Sequence, residues 1–287
     1  MPAHSSPTVK RRRLAAELRR YRDLAGLTIE DVATRLEWSS AKISRSENSR
    51  VSVLPRDVKF LLGVYGLSDQ DEAWDLMLTL ARESRSRGWW HQYGDAVPDW
   101  FEVFVGLEAE ATSISGYDAE FMPGLLQTED YAKAVHHAFL FGATDDEIDR
   151  RVKVRIARQE RLTSEDGPQV WFVLNEAAIR RKVGGRGTMH DQLARLTVAM
   201  DLPNVTLQVI PFDVGAHPSM DGSFSILGFP EETDPNVVYI EYQTGALYLE
   251  KPEEVRRYSL MFDHLRAAAL PVDASRALIA QVGGELA

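Results

Sequence analysis

Apolar residues recur at helical spacing through the first part of the chain. Between residues 10 and 25 they fall on every third or fourth position, and Gly26 follows them, as glycine commonly follows a helix. Thr28, with an aspartate three residues later, has the form of a capping box ahead of a second apolar stripe over residues 29–36. A further stripe covers residues 55–65. The pattern predicts several short helices with tight connections.

Residues 39–50, which read SSAKISRSENSR, have a different pattern. Ile43 is their only strongly apolar residue, so a helix here has one narrow inward face. Ser39 is a suitable cap, because its hydroxyl accepts a hydrogen bond from an amide of the first turn. Small side chains let the backbone of such a helix approach another surface closely. Three cations offer positive charge to an anionic partner: Lys42, Arg45 and Arg50.

The rest of the chain mixes helical and strand-like patterns. A helical stripe over residues 69–87 leads to an aromatic segment, and strand-like runs alternate with helical ones from Val170 onward. This order predicts a domain with a mixed or antiparallel sheet. The predicted fold class is α+β overall, with an all-α helix-turn-helix N-terminal domain and a larger mixed α+β C-terminal domain. The predicted parts are residues 1–66 for the first domain, 67–88 for a linker helix and 89–287 for the C-terminal domain.

Charge is distributed unevenly along the chain. The net charge is −10, but residues 1–60 hold 13 Lys and Arg against 7 Asp and Glu, and the remaining residues hold 20 against 36. Positive charge therefore favours an anionic partner at the N-terminal end, and the acidic remainder disfavours one. The absence of cysteine excludes disulfides and zinc–thiolate sites. No segment resembles a membrane span or a leader peptide, so we expect a cytoplasmic protein without a membrane partner.

The segment over residues 27–48, LTIEDVATRLEWSSAKISRSEN, resembles the XRE-type family of helix-turn-helix DNA-binding regulators. The resemblance implies that the third helix enters the major groove of double-stranded DNA while the second helix crosses the backbone. By position, the expected base contacts are Ser40, Ala41, Ser44 and Arg45. The expected phosphate contacts are Thr28, Lys42 and Arg50, together with the amides of the helix start at Ser39.

Arg45 carries most of the expected sequence recognition. Its guanidinium can donate two parallel hydrogen bonds to guanine, which provide roughly 1–3 kcal/mol of discrimination. Ala41 can contact a thymine methyl group, whereas serine hydroxyls both donate and accept and therefore discriminate weakly. We therefore expect the third helix to read DNA chiefly through one arginine.

The same resemblance implies a structural ion pair between Glu47 and Arg22, because a carboxylate that faced DNA would be repelled. Two positions depart from the family pattern, since Glu37 and Ser49 stand where glycine is usual. If either position keeps a left-handed backbone, its side chain costs about 1–2 kcal/mol. These two positions bear on the geometry of the turns and not on the helix-turn-helix topology.

The C-terminal part carries a second resemblance, which runs from residue 88 to about residue 279. Its motifs include RGWWHQYGD, MPGLLQTEDYA, NEAAIRRKVGG, NVTLQVIPF and YSLMFDHLRAAAL. They are similar to a C-terminal domain of unknown function in actinobacterial regulators that are WhiJ-like and are also described as antitoxin-like. The resemblance implies regulation by protein binding, because genes for small partner proteins commonly lie near those of the family.

The aromatic segment over residues 88–132 admits two interpretations. Four of its large apolar residues recur at helical spacing: Trp100, Phe101, Phe104 and Leu107. This spacing favours a helix that is buried in the core or in a subunit interface. A cage for a ligand is the less favoured interpretation.

Motifs of known catalytic sites are lacking. The sequence contains no HExxH, no GxSxG and no phosphate loop of Walker type. The adjacent histidines His136 and His137 would lie on different faces of a helix, which makes a poor metal site. We therefore expect no enzyme activity, no cofactor and no metal ion.

These observations predict a homodimeric, sequence-specific DNA-binding transcriptional regulator. One helix-turn-helix domain reads few base pairs, so a symmetric dimer is needed to place two of them on neighbouring half-sites. The C-terminal domain is expected to dimerise and to sense a small-molecule effector or a small partner protein. Three alternatives stay open: an antitoxin-like protein whose main role is binding a small partner protein, an enzyme tethered to DNA, and an N-terminal bundle that serves only protein interaction.

Overall fold

The computed structural model describes residues 7–49, 51–86, 88–230 and 234–286. The chain forms two compact units, residues 1–91 and 92–287. Within the described residues, the N-terminal unit contains five α-helices: α1 (Pro7–Leu24), α2 (Ile29–Leu36), α3 (Ser40–Glu47), α4 (Pro55–Val64) and α5 (Glu72–Glu83). The helices predicted from the apolar stripes are therefore confirmed.

The helix starts follow the predicted capping chemistry. The Thr28 hydroxyl accepts a bond from the Asp31 amide and the Asp31 carboxylate accepts one from the Thr28 amide at 2.9 Å, which completes the capping box of α2. The Ser39 hydroxyl accepts a bond from the Lys42 amide at 3.3 Å and caps α3. Pro55 opens α4, in a first turn where its missing N–H is not needed. Local sequence therefore determines where these helices begin.

Two turns of the N-terminal unit have a left-handed backbone at residues other than glycine. Both Glu37 and Ser49 have φ of 53°. Glu37 ends α2, where the amide of Trp38 bonds to the Ala33 carbonyl at 2.9 Å. The left-handed residue thus satisfies a carbonyl at the helix end. The two positions that depart from the glycine pattern are therefore also the two that keep the glycine-like conformation.

The core of the N-terminal unit includes α5. Met77 and Ala81 of α5 are fully buried in one cluster with Leu18 of α1, Ile43 of α3 and Leu61 of α4. The predicted first domain ends at residue 66, and residues 67–88 are predicted to form a linker helix. The structure instead places α5 inside the first compact unit, because its apolar stripe is buried against the other helices.

The C-terminal unit is built on one six-stranded sheet. Its strands are β1 (Ser113–Asp118), β2 (Gln169–Asn175), β3 (Val205–Ile210), β4 (Phe224–Gly228), β5 (Val237–Tyr242) and β6 (Gly245–Leu249). Their order across the sheet is β3-β2-β1-β4-β5-β6. Strands β1, β2 and β3 run parallel, and β4, β5 and β6 join antiparallel. Of the two predicted possibilities, a mixed or an antiparallel sheet, the structure has the mixed sheet.

Strand β1 lies near the middle of the sheet, although the sequence analysis did not predict it. Its sequence, SISGYD, lacks the β-branched run that marks the other strands. Gly116 sits opposite Phe172, and a Cβ at this glycine would come within 3.0 Å of the phenylalanine ring. The glycine that weakens the strand pattern is therefore required by the packing of the neighbouring strand.

Helices cover the sheet. They are α6 (Asp99–Glu110), α7 (Glu129–Phe139), α8 (Asp145–Gln159), α9 (Glu176–Arg180), α10 (Arg186–Ala199), α11 (Pro252–Ala268) and α12 (Val272–Gly284). Phe262 and Leu265 of α11 pack on one face against Tyr117 and Ile226. On β5, the Tyr239 ring contacts Phe104 of α6, with centroids 4.2 Å apart. None of the described helices is long and apolar enough to cross a membrane.

Candidate nucleic-acid interface

Helix α3 is anchored by its inner face and leaves its outer face open. Ile43 is fully buried, and Ser46 and Glu47 are also buried. Of the predicted DNA contacts on α3 and its cap, four are exposed: Ser39, Ser40, Ala41 and Arg45. The Arg45 side chain forms no ion pair or hydrogen bond with any residue that the structure describes. The surface that was expected to face DNA is therefore accessible.

Glu47 points away from this surface and pairs with α1. Its carboxylate accepts hydrogen bonds from Arg22 Nε at 2.8 Å and from Arg22 Nη2 at 3.0 Å. The Tyr65 hydroxyl donates a further bond at 3.3 Å, and only 2% of the Glu47 side chain is exposed. The bond to Glu47 raises the pKa of Arg22, and burial raises the pKa of Tyr65. The structure thus joins the two residues that the sequence analysis paired.

Lys42, a predicted phosphate contact, has partners inside the unit. Its ammonium lies 2.9 Å from Asp57 Oδ2 at the start of α4 and 3.2 Å from the centre of the Trp38 ring. The Trp38 ring also meets Phe60 edge to face. Lys42 therefore links the start of α3 to α4. Its contact with phosphate stays a prediction, and that contact requires Lys42 to share or leave Asp57.

Two further predicted contacts use their hydroxyls within the unit. Thr28 Oγ1 donates to Asp31 Oδ2 at 2.7 Å as part of the capping box. The half-buried Ser44 accepts a bond at its hydroxyl from Asn48 Nδ2 at 3.2 Å. Arg50 lies outside the described residues. The open surface consists mainly of the first turn of α3 and its exposed arginine.

The first turn of α3 is also favourable for an anion. It contains no acidic residue, and its cap Ser39 is exposed. The first amides of a helix lack a carbonyl partner within the helix, so they can bind a phosphate oxygen with support from the helix dipole. Ala41 and Arg45 are four residues apart and share one face of α3. Groups for backbone contact and base contact are therefore adjacent on one helix.

Two family models match the chain. A helix-turn-helix domain matches residues 13–74, which contain α2 and α3. A domain of unknown function, DUF5753, matches residues 101–281, which is more than half of the chain. The chain belongs to the DUF5753 family. No curated protein and no solved structure matches it significantly.

The helix-turn-helix match indicates that the N-terminal unit of this DUF5753 protein binds DNA and that the chain regulates transcription. It agrees with the resemblance read from residues 27–48 at the level of the helix-turn-helix motif. The C-terminal match likewise agrees with the expectation of a domain of unknown function in that half.

A further cation that was not among the predicted contacts lies beside α3. Arg19 Nη2 donates to the Glu47 carbonyl at 3.0 Å and to Asn48 Oδ1 at 2.6 Å. Arg19 is exposed, and it brings positive charge to the C-terminal end of α3, where charge of this sign is favoured. The available signal was spacing, because Arg19 and Arg22 are three residues apart and share a face of α1.

No three His, Cys, Asp or Glu side chains in the described part of this DUF5753 protein are arranged to hold a metal ion. The adjacent histidines of α7 differ in environment, since His136 is half-buried and His137 is exposed. His137 Nε2 lies 3.8 Å from Asp145 Oδ1. The two histidines therefore face different surroundings.

Proposed function

We propose that this chain is a homodimeric, sequence-specific DNA-binding transcriptional regulator of the XRE type, in which α3 reads the major groove. The observation that supports the proposal best is the asymmetry of α3. Its inner face holds Ile43 and the neutralised Glu47, while its outer face presents Arg45 without a partner among the described residues. A helix of this kind is fixed in place yet free to contact base edges.

The contacts divide into two classes. Arg45 supplies the direct contact with a guanine, and Ser40, Ala41 and Ser44 contribute weaker base contacts. The amides of the first turn at Ser39 bind a phosphate, with Thr28, Lys42 and Arg50 as further phosphate contacts. Arg19 joins this second class, since it is an exposed cation at the far end of α3.

The C-terminal unit is proposed to dimerise and to sense an effector, in the manner of WhiJ-like regulators. Residues beyond position 60 hold 36 acidic against 20 basic side chains, so this part of the chain repels nucleic acid. Two N-terminal units on one dimer would contact half-sites about one helical turn apart. We propose a cytoplasmic location and no catalytic activity.

Binding to DNA tests the proposal directly. The full-length protein is titrated onto an operator identified by genome-wide mapping of its bound sites, at several salt concentrations. The logarithm of the affinity should fall linearly with the logarithm of salt, with a slope of about −0.9 for each neutralised phosphate. Light scattering should give twice the 32.3 kDa mass of one chain. A flat salt response would exclude DNA as the partner, and a monomer would exclude the dimer.

An antitoxin-like role, in which the chain mainly binds a small partner protein, is the second candidate. Exposed aromatic side chains favour it. Phe141 is 90% exposed, Phe139 is 45% exposed and Tyr242 is 52% exposed, and the Gln243 amide donates to the Phe139 carbonyl at 3.1 Å. Neighbouring exposed aromatic residues are typical of protein interaction sites. Co-expression with a small basic protein encoded beside this gene tests the role, and elution at separate volumes would contradict it.

A further inference from the structure

A cavity in the C-terminal unit lies between an aromatic wall and a cationic wall. Its volume is about 60 Å³, enough for several water-sized groups, and it is partly open to solvent. Trp100 and Phe101 form the aromatic wall, and Ala96, Val97 and Pro98 extend it as an apolar surface. The polar lining comes from α7, α8 and β5 and consists of His136, Arg151, Arg155, Arg158 and Glu241.

Arg158 is neutralised within the protein. Its Nε and Nη2 atoms donate to the two carboxylate oxygens of Glu108 at 2.6 Å and 2.7 Å. Both side chains are almost completely buried, and the guanidinium lies 5.1 Å from the centre of the Phe101 ring. Arg158 therefore supports the wall of the cavity and has no free charge to offer.

Arg155 and Arg151 are in a different situation. Arg155 Nη1 donates to the neutral Gln127 Oε1 at 2.6 Å, and Arg155 forms no ion pair with a described carboxylate. Burial, with the charge of Arg158 second, lowers the pKa of Arg155 to about 10, so this guanidinium stays charged at neutral pH. Arg151 forms no hydrogen bond or ion pair with a described residue. The charges of Glu241 and Glu108 act on Arg155, but neither carboxylate forms an ion pair with it. A half-buried guanidinium without a close counter-ion favours an anion in the cavity.

His136 supplies an independent observation. Its Nε2 atom is buried and has no hydrogen-bond partner within the described part of the chain. Burial, followed by the charges of the three arginines, lowers the pKa of His136 to about 3, so the imidazole is neutral at physiological pH. Buried polar atoms normally have a partner, and an atom without one in a cavity wall points to an occupant.

Glu241 limits the choice of occupant. This carboxylate accepts a hydrogen bond from the Tyr239 hydroxyl at 2.7 Å and forms no ion pair with a described cation. With Arg158 and Glu108 neutralised by each other, two guanidiniums and one carboxylate remain around the cavity. The lining therefore favours a single negative charge on the ligand, with a hydrogen-bond donor for Glu241 elsewhere on it.

We propose that this cavity binds a small aromatic carboxylate, whose carboxylate contacts Arg151 and Arg155 and whose ring packs against Trp100 and Phe101. Such a ligand would be the effector of the proposed regulator, and in that respect the inference rests on the proposed function. Binding itself does not depend on DNA.

Calorimetric titration of the full-length protein without DNA tests the site. The probes are benzoate, phenylacetate, 4-hydroxyphenylacetate and indole-3-acetate, each paired with its neutral amide. At least one carboxylate should bind, and its amide should bind about tenfold more weakly or worse, because charge-assisted hydrogen bonds to the arginines are lost. The proposal is overturned if no carboxylate binds more tightly than its amide.

Variants locate the binding. Arg155→Gln and Arg151→Gln should each weaken carboxylate binding by about tenfold, and Arg256→Gln, an exposed arginine on α11, should leave it unchanged. Circular dichroism monitors folding. If Arg155→Gln does not fold, Arg151→Gln decides, because this side chain has no protein partner to lose. Equal affinity in wild type and Arg151→Gln would place the carboxylate elsewhere and refute the site.

A parallel titration separates this inference from the proposed function. Arg45→Ala is expected to bind the carboxylate as the wild type does, because α3 belongs to the other unit. Loss of DNA binding with retained ligand binding would leave the cavity assignment intact. If the protein binds DNA but no carboxylate, the ligand site in the cavity is refuted and the proposed DNA-binding function is not.

Discussion

Helices α3 and α8 both carry arginines, but the two helices place them in opposite environments. On α3, a single apolar residue, Ile43, is buried, and Arg45 is exposed. On α8, Arg158 is 7% exposed and Arg155 lines a cavity. An exposed arginine can contact an extended polyanion, whereas an inward arginine can contact only a carboxylate of the protein or an anion small enough to enter.

Among the described residues, each unit also contains a largely buried pair of arginine and glutamate. Arg158 and Glu108 are bonded through both carboxylate oxygens. Arg22 and Glu47 are bonded similarly, but Arg22 also donates to the Leu27 carbonyl at 2.8 Å. Arg158 therefore depends on Glu108 as its acceptor, whereas Arg22 has a further acceptor besides Glu47. This difference should appear in the energetic cost of breaking each pair.

The largest expected effect is that of Glu108→Ala. The substitution leaves the charge of Arg158 buried without a partner, so the free energy of unfolding of the C-terminal unit should fall by about 3–5 kcal/mol. Denaturant unfolding followed by fluorescence measures it. The matched control is Glu165→Ala, an exposed loop residue, which should change stability by less than about 0.5 kcal/mol. Equal effects of the two substitutions would contradict the buried pair.

Glu47→Ala should have a smaller effect on the N-terminal unit, about 2–3 kcal/mol, because Arg22 keeps its bond to Leu27 and gains access to solvent. Hydrogen exchange of the backbone amides of residues 7–49 and 51–86 during urea unfolding reports this unit. Glu30→Ala, on the exposed side of α2, is the control. A loss larger than that of Glu108→Ala would reverse the ranking of the two pairs.

The substitution Arg45→Ala distinguishes recognition of a base from general electrostatic attraction to DNA. Affinity for the cognate operator should fall by about 1–3 kcal/mol, and affinity for a random duplex should fall much less. Arg35→Ala, an exposed arginine of α2, should lower both affinities slightly and equally. Fluorescence anisotropy with labelled duplexes measures all four values. If Arg45→Ala weakens both duplexes to the same extent, Arg45 contacts phosphate and not a base.

The smallest expected effects are those of substitutions at two left-handed turn residues, one before α3 and one before α8. Glu37→Gly should stabilise the N-terminal unit by up to about 1 kcal/mol, because it removes a side chain from a left-handed position. Gly142, which precedes α8 with φ of 79°, should behave in the opposite way, and Gly142→Ala should destabilise the C-terminal unit by about 1 kcal/mol. Thermal unfolding of both variants measures the changes. If both substitutions change the stability in the same direction, the strain assigned to Glu37 is contradicted.

Several features followed from local sequence. The capping box at Thr28 and the cap at Ser39 depend on residues within one helical turn, so spacing was enough to predict them. The Arg22–Glu47 contact came from family resemblance and not from local pattern. The helical spacing of Phe104 and Leu107 correctly indicated buried positions, although Trp100 and Phe101 of the same helix line the cavity.

Other features required the fold. Strand β1 was not predicted, because one glycine and two serines weaken its strand pattern. The reason for the glycine is its packing against Phe172, which belongs to a strand more than fifty residues away. Helix α5 has the composition of a connecting helix, and only the cluster around Met77 shows that it belongs to the first unit. The Lys42 contact with Asp57 likewise joins residues of two helices whose separation the sequence does not give.

The sequence by itself determined the kind of protein: a basic helix-turn-helix segment ahead of an acidic α+β domain. Those properties depend on composition, short-range capping and periodicity, which act within a few residues. The tertiary structure alone decided which charges are free. Exposure of Arg45, neutralisation of Arg158 and the unpaired state of Arg155 depend on distances between side chains far apart in the chain, because electrostatic free energies depend on burial and on the nearest counter-charge.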